Sequence, residues 1–226
     1  MKKWFSKYKH ALMFLYFIIY LPWFAWLEKT IGHSPEYLIH VKIDDIIPFN
    51  EYFIIPYMLW FIFISFWVMF FFFKDTKEFY QLTCFLFIGM TIFLIVCTLF
   101  PNGQELRPTE FTRDNICVDL VKRLYQIDTP TNIAPSIHVY NTLCVFFAIK
   151  RSAYLKAHLT QLSKHILYFT NGLLSALIIL STMFLKQHSV FDVITAFIMW
   201  AVLYRVIYRP VYHTSTQKGE AYAEHI

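Results

Sequence analysis

The sequence predicts an all-α fold: a polytopic membrane protein built as a bundle of six transmembrane helices, with interfacial helices in its outer loops. Residues 1–226 read as a single domain, because no repeat, low-complexity linker or shift in composition divides them. Three observations carry the prediction. Hydrophobic residues make up 58% of the chain and charged residues only 15%, with a mean hydropathy of +0.47. A soluble domain carries about 25% charged and about 45–50% apolar residues. Aromatic residues reach 20%, and the apolar residues gather into six separate stretches. A span needs about 20 apolar residues, so the chain can supply a bundle. The same figures exclude a soluble enzyme, a disordered chain, a nucleic-acid-binding domain and a disulfide-stapled scaffold.

The six stretches are Ala11–Trp26, Phe53–Phe73, Leu82–Phe100, Pro135–Ile149, Ile166–Leu185 and Val190–Ile207. The second, third and fifth contain no Asp, Glu, Lys or Arg. The first contains Pro22, which a bundle tolerates where neighbouring helices cover the freed carbonyl. A cleavable leader is the competing reading of this end, since Lys2, Lys3, Lys7 and Lys9 precede the apolar run. A small-residue cleavage site is missing, and Trp23, Trp26 and Glu28 stand there instead, which favours a retained helix. The fourth stretch is short, and the sixth holds Asp192 and Arg205.

Orientation follows from the basic residues. With a cytoplasmic N-terminus, thirteen of the twenty Lys and Arg fall inside: Lys2, Lys3, Lys7, Lys9, Lys74, Lys77, Lys150, Arg151, Lys156, Lys164, Arg205, Arg209 and Lys218. The expected topology therefore places both termini in the cytoplasm, and the net +5 is a topology signal rather than a nucleic-acid patch. Small size and the lack of organelle signals point to a bacterial plasma membrane. Between Phe111 and Ile127, apolar Ile116, Leu120, Leu124 and Ile127 recur at helical spacing opposite Arg113, Asp114 and Arg123. That pattern reads either as an amphipathic helix lying at the interface or as a surface helix packed on the other outer loop. Residues Pro35–Asn50 carry a weaker version of it. The cysteines at 84, 97, 117 and 144 form no spaced motif, so neither a disulfide nor a zinc site is expected.

Polar residues in or capping membrane segments are costly and mark functional candidates. Lys186-Gln187-His188-Ser189-Val190-Phe191-Asp192 opens the sixth stretch. His188 and Asp192 stand four apart and share a helix face, so the carboxylate can fix the imidazole tautomer and free its other nitrogen to attack or accept a proton. A structural hydrogen bond or part of a metal site fits the same pair. Ala134-Pro135-Ser136-Ile137-His138 opens the fourth stretch, where a helix N-terminus, a hydroxyl and an imidazole make an anion site. The plainer reading has Ser136 merely capping. Arg107, just after the third stretch, suits bidentate phosphate recognition, although a lone loop Arg is usually just solvated. Counting helices places all three clusters on the extracytoplasmic face. Together they hold an anion clamp, a nucleophile and a proton donor, the needs of phosphoryl transfer.

The motifs resemble the type 2 phosphatidic-acid phosphatase superfamily, six-helix membrane enzymes that need no metal. The family pattern of Ser-Arg, five residues, His, three residues, Asp matches Ser181-Thr182, His188 and Asp192. Its Pro-Ser-Gly-His is similar to Pro135-Ser136-Ile137-His138, and Arg107-Pro108 match the end of its first motif, where Phe100 takes the place of the Lys. The resemblance implies that His188 attacks phosphorus, Asp192 orients it and His138 protonates the leaving oxygen. It implies too that Arg107, Ser136 and the Ile137 N–H hold the phosphate oxygens, with no cofactor and no metal. The expected partners are a membrane lipid phosphate and the bilayer itself. Phe100 and Thr182 remove two family cations, and Lys186 is a candidate to restore one. Ile137 in place of Gly looks more like the inositol-phosphorylceramide-synthase and sphingomyelin-synthase branch, whose members pass a phospho-head-group to an alcohol. The expected activity is thus a lipid phosphatase, with a lipid phosphotransferase as the alternative.

Overall fold

One residue, Asp75, separates two helices of more than twenty residues each, and this short reversal sets the antiparallel character of the molecule. The computed structural model describes residues 8–32 and 35–223, with side chains to Tyr208. The predicted cytoplasmic anchors Lys2, Lys3 and Lys7 lie outside the described residues, as do the side chains of Arg209 and Lys218. The chain is helical almost throughout. A 3₁₀ segment Lys9–Tyr16 leads into α1 (Phe17–Ile31), and a short turn of helix α2 (Lys42–Ile46) follows. The 3₁₀ turn Glu51–Phe53 enters α3 (Ile54–Lys74), and then come α4 (Thr76–Leu99), α5 (Ile116–Ile127), α6 (Ile137–Arg151), α7 (Ala153–His158), α8 (Gln161–Phe184) and α9 (Val190–Ala223).

Among the described residues, five helical segments are long and apolar enough to cross a membrane: Lys9–Ile31, Glu51–Lys74, Thr76–Leu99, Gln161–Phe184 and Val190–Tyr208. The predicted fourth span, α6, has 15 residues. At about 1.5 Å per residue it is roughly 22 Å long, short of an apolar core about 30 Å thick. The other boundaries shift for a physical reason. α4 starts at Thr76 rather than Leu82 because Asp75 caps it, accepting from Glu78 N at 2.9 Å. α8 starts at Gln161 rather than Ile166 because Thr160 caps it, accepting from Ser163 N at 3.2 Å. An apolar run misses a polar first turn of this kind.

The core sits on α4, 56% of whose apolar window is buried, against 17–22% for the other four. Phe79, Leu82, Phe85, Leu94 and Cys97 are fully enclosed, as are Val139, Tyr140, Cys144, Val145 and Ile149 of α6. The two helices meet closely at Gly89, where a Cβ would come within 2.1 Å of the Tyr140 ring carbons. Tyr140 in turn donates to Phe85 O at 2.6 Å. The outer helices present Ile18, Ile19, Phe61, Ile62, Phe66, Phe169, Ile194 and Ile198 outward. An apolar surface this continuous suits lipid, not water.

Three loops are sewn together at one end of the bundle. Strand β1 (Tyr37–Leu38) pairs in parallel with β2 (Asn102–Gly103), and Gly103 also bridges to Thr131. Gly103 is required there, since a Cβ would meet Pro35 Cγ at 2.7 Å and Pro130 O at 2.8 Å. The buried Asn102 accepts from Ile133 N and Ala134 N, both at 2.9 Å, and so fixes the approach to α6. In α5 the buried face is Cys117, Val118, Val121 and Leu124, of which Cys117, Val121 and Leu124 join the cluster of Ile54, Tyr57 and Leu185. Of the stripe read from the sequence, Ile116, Leu120 and Ile127 remain exposed and only Leu124 is covered. The helix packs on the bundle by one face and keeps an apolar edge free.

Candidate active site

The last helix is aimed by its own cap. Ser189 precedes α9, and Asp192 Oδ2 accepts from Ser189 N at 2.8 Å while Ser189 Oγ accepts from Phe191 N at 3.1 Å. A second buried carboxylate joins this N-terminus from the first outer loop: Asp44 accepts from Val190 N at 2.8 Å and from Ser189 Oγ at 2.6 Å. Negative groups at a helix N-terminus meet free N–H groups and the positive end of the dipole. Before it, the chain turns sharply out of α8. Lys186 takes a positive φ of 53°, and Gln187 N and His188 N both donate to Thr182 O, at 2.9 and 3.0 Å. His188 is therefore fixed on a five-residue connection. The start of α6 docks on the same place, since Ser136 N donates to Asp192 O at 3.1 Å.

These contacts bring together the predicted nucleophile and acid. His188 Nδ1 lies 3.4 Å from Asp192 Oδ2, with the imidazole 8% exposed and the carboxylate fully buried. This is a close ion-pair distance rather than an aligned hydrogen bond, and Nδ1 and Asp192 Oδ1 have no other protein partner. The His138 ring stands 5.7 Å from the His188 ring, nearly edge to face. Behind it lie Tyr57 at 4.8 Å and Trp60 at 4.3 Å, which hold the imidazole in one orientation. Ser136 is fully buried and caps α6, accepting from Val139 N at 3.5 Å, so the plainer reading of this residue is met in the structure. Ile137 begins the helix, where its N–H and that of His138 precede any intrahelical carbonyl.

Arg107 reaches the His188 loop. Its Nη2 donates to Gln187 Oε1 at 2.5 Å and its Nη1 to Tyr125 O at 3.3 Å, with the guanidinium 4.4 Å from the Tyr125 ring centroid. Tyr125 is itself tied down, donating to Leu185 O at 2.6 Å. Burial pulls the Arg107 pKa below the ordinary guanidinium value, opposed chiefly by the Asp128 carboxylate. Burial likewise raises the Asp128 carboxyl pKa, and here the Arg107 charge opposes it. Tyr57 OH donates to Asp128 Oδ2 at 3.3 Å, so this carboxylate holds the ring that packs on His138.

Lys186 does not join them. Its Nζ donates to Asp44 O and Ile47 O, both at 2.6 Å, so two of its three donors hold the first outer loop. Burial lowers its pKa, with Asp44 and Asp45 opposing. A positive-φ turn directs the side chain across the loop, and the sequence spacing alone could not show this. Phe100 is 56% exposed beside Tyr37, and the Thr182 hydroxyl is spent on Ile179 O at 2.7 Å. Of the three cations that the family resemblance implies, the structure brings one.

Sequence reasoning passed over Gln187, Asp128, Asp44, Tyr57 and Trp60. Gln187 stood inside the quoted cluster, and its adjacency to His188 was the available signal. Tyr57 and Trp60 carry polar tips three residues apart within an apolar span. Asp44, in the short α2, and Asp128, in a loop, carry no local signal, because only tertiary contact brings them to Ser189 and Tyr57. Among the described residues, no three His, Cys, Asp or Glu side chains gather where they could hold a metal ion. Compared with protein-family models, curated proteins and solved structures, the chain matches none of them.

Proposed function

We propose that the chain is an integral membrane lipid phosphatase that hydrolyses a lipid phosphomonoester or diphosphate through a phosphohistidine, with its site on the extracytoplasmic side. One observation carries the reading: two imidazoles with centroids 5.7 Å apart, one of them backed by a buried carboxylate, at the facing starts of α6 and α9. Asp192 faces Nδ1 of His188, which leaves Nε2 as the attacking nitrogen. In the first step His188 Nε2 bonds to phosphorus, the bond from phosphorus to the leaving oxygen breaks, and His138 supplies the proton that this oxygen takes. In the second step His138 recovers a proton from water, the hydroxide oxygen bonds to phosphorus, and the P–N bond breaks. Arg107 and the free N–H groups at the start of α6 would hold the phosphate oxygens.

In this reading α6 is a sixth, short span, both termini are cytoplasmic, and the membrane is a bacterial plasma membrane. The exposed edge of α5, Ile116, Leu120 and Ile127, supports an interfacial placement, with Ile43 and Ile46 of α2 adding to it. The shortage of cations favours a second reading, transfer of a phospho-head-group to a lipid alcohol. A head-group phosphodiester carries one negative charge and calls for less positive charge than a monoester. The same residues would act, with an alcohol in place of water.

The test is direct. Purified protein given ³²P-labelled phosphatidic acid should form an acid-labile, base-stable phosphoprotein in the presence of EDTA, and His188→Ala should abolish it. Inorganic phosphate release identifies the phosphatase, and transfer of the phospho-head-group of a lipid phosphodiester to added ceramide identifies the phosphotransferase. A His188→Ala protein that keeps full turnover, or a strict need for Mg²⁺, contradicts the mechanism.

A further inference from the structure

We propose that Gln187 binds phosphate, its side-chain amide donating to a phosphate oxygen in place of a cation missing from the site. The proposal rests on the phosphohistidine reading above and adds a residue to it.

The orientation of the amide is fixed by chemistry. An arginine can only donate, so the atom that faces Arg107 Nη2 at 2.5 Å must be Oε1. The other end, Nε2, is then a pair of N–H donors. It is buried, it meets no acceptor within the protein, and the residue as a whole is 3% exposed. Leaving a buried donor without an acceptor is costly, and native structures do so rarely unless a ligand or water completes it. The donor is not alone. Arg107 Nε, on the side chain that holds Gln187, is also buried without an acceptor. Two donors without acceptors therefore stand on two mutually bonded side chains, one of them adjacent in the chain to His188.

The backbone makes the placement rigid. Gln187 N donates to Thr182 O at 2.9 Å, and His188 N donates to the same carbonyl at 3.0 Å. The buried Gln104 Nε2 donates to Lys186 O at 2.8 Å, holding the residue before. Thr182 and Phe100 stand where the family resemblance implies cations, and neither side chain supplies a donor to the site. A neutral amide fills the geometric part of that role while adding no charge.

Gln187→Glu keeps an acceptor for Arg107 while removing the Nε2 donors; its added charge repels an anion as well, so a glutamine amide signal that moves on adding vanadate is what separates binding from a structural role. On the full-length protein in detergent micelles, inhibition by vanadate should weaken by about tenfold or more, the value of a lost hydrogen bond to a charged group. The thermal unfolding midpoint should match that of wild type. A vanadate inhibition constant within about twofold of wild type would overturn the proposal. Wild type labelled with ¹⁵N at glutamine side chains gives that signal whether or not the variant folds. One of its amides should shift on adding vanadate, and that signal should be missing from a Gln187→Met protein; no shifted amide overturns the proposal. Wild type indifferent to vanadate and free of phosphohistidine overturns the reading of the site and this inference together.

Discussion

Lys186 ties the first outer loop to the turn that precedes α9. Its Nζ clamps the carbonyls of Asp44 and Ile47, and Asp44 in turn caps α9 beside His188. Lys186→Met should therefore lower the unfolding free energy by roughly 1.5–3 kcal/mol, the range for lost hydrogen bonds of a charged group. Vanadate affinity should stay near that of wild type, and differential scanning fluorimetry beside vanadate titration reads both. A variant of full stability with weakened vanadate binding would return Lys186 to the phosphate. Asp192→Asn tests the neighbouring carboxylate. Asp192 Oδ2 both caps Ser189 N and faces His188 Nδ1. The amide can still cap, but it no longer matches an imidazole charge, so turnover should fall by about a hundredfold or more with little change in KM. Equal losses in kcat and stability would assign Asp192 to capping alone. His188, His138 and Asp192 were legible because each breaks an apolar pattern at a helix start. Gln187 and Asp128 were not, since an amide beside a histidine and a loop aspartate look ordinary until Arg107 is placed against them.

Two helices, α4 and α6, carry the site without contributing most of its atoms. α6 presents His138 only if it lies against α4, and the approach depends on Gly89 under the Tyr140 ring. Gly89→Ala would put a carbon 2.1 Å from that ring, forcing the helices apart. The expected cost is about 1–3 kcal/mol of stability, as for overpacked cores. Activity should fall with it, since Tyr140 is two residues from His138. Trimming the ring in Gly89→Ala/Tyr140→Leu should recover part of the loss, a coupling that thermal unfolding of the four proteins measures. Simple addition of the two losses would deny the contact. The helices themselves were visible as apolar runs, because burial and lipid both demand them. Their starts were not, since Asp75 and Thr160 cap polar first turns that hydropathy discounts. The stripe of α5 gave its exposed apolar edge, Ile116, Leu120 and Ile127, but not its covered face of Cys117, Val118 and Val121, because only tertiary contact shows that α5 also lies on Ile54 and Tyr57.

At the scale of the molecule, the fold joins an apolar belt to one polar end where three loops close over the starts of α6 and α9. The belt follows from composition. The closure depends on Asn102 and Gly103, whose contacts to Ile133, Ala134, Pro35 and Pro130 no local pattern announces. Where α6 is the short sixth span of the proposed reading, its 15 residues set a depth. A helix about 22 Å long that starts level with its neighbours on the inner side stops some 8 Å short of the outer edge of an apolar layer about 30 Å thick. His138 and His188 would thus lie below the head-group plane, and a substrate lipid would have to sink, or the sheet of lipid dimple, before its phosphate met Nε2. Reconstituted in vesicles of about 14-carbon acyl chains, the protein should turn over faster than in vesicles of about 22 carbons, where the descent is longer. The opposite trend would place the site at the surface. Sinking an anion away from water is costly, but the single charge of Arg107 acts there through a medium that screens it weakly. Depth would thus make one arginine do the binding that several do at a wetter surface.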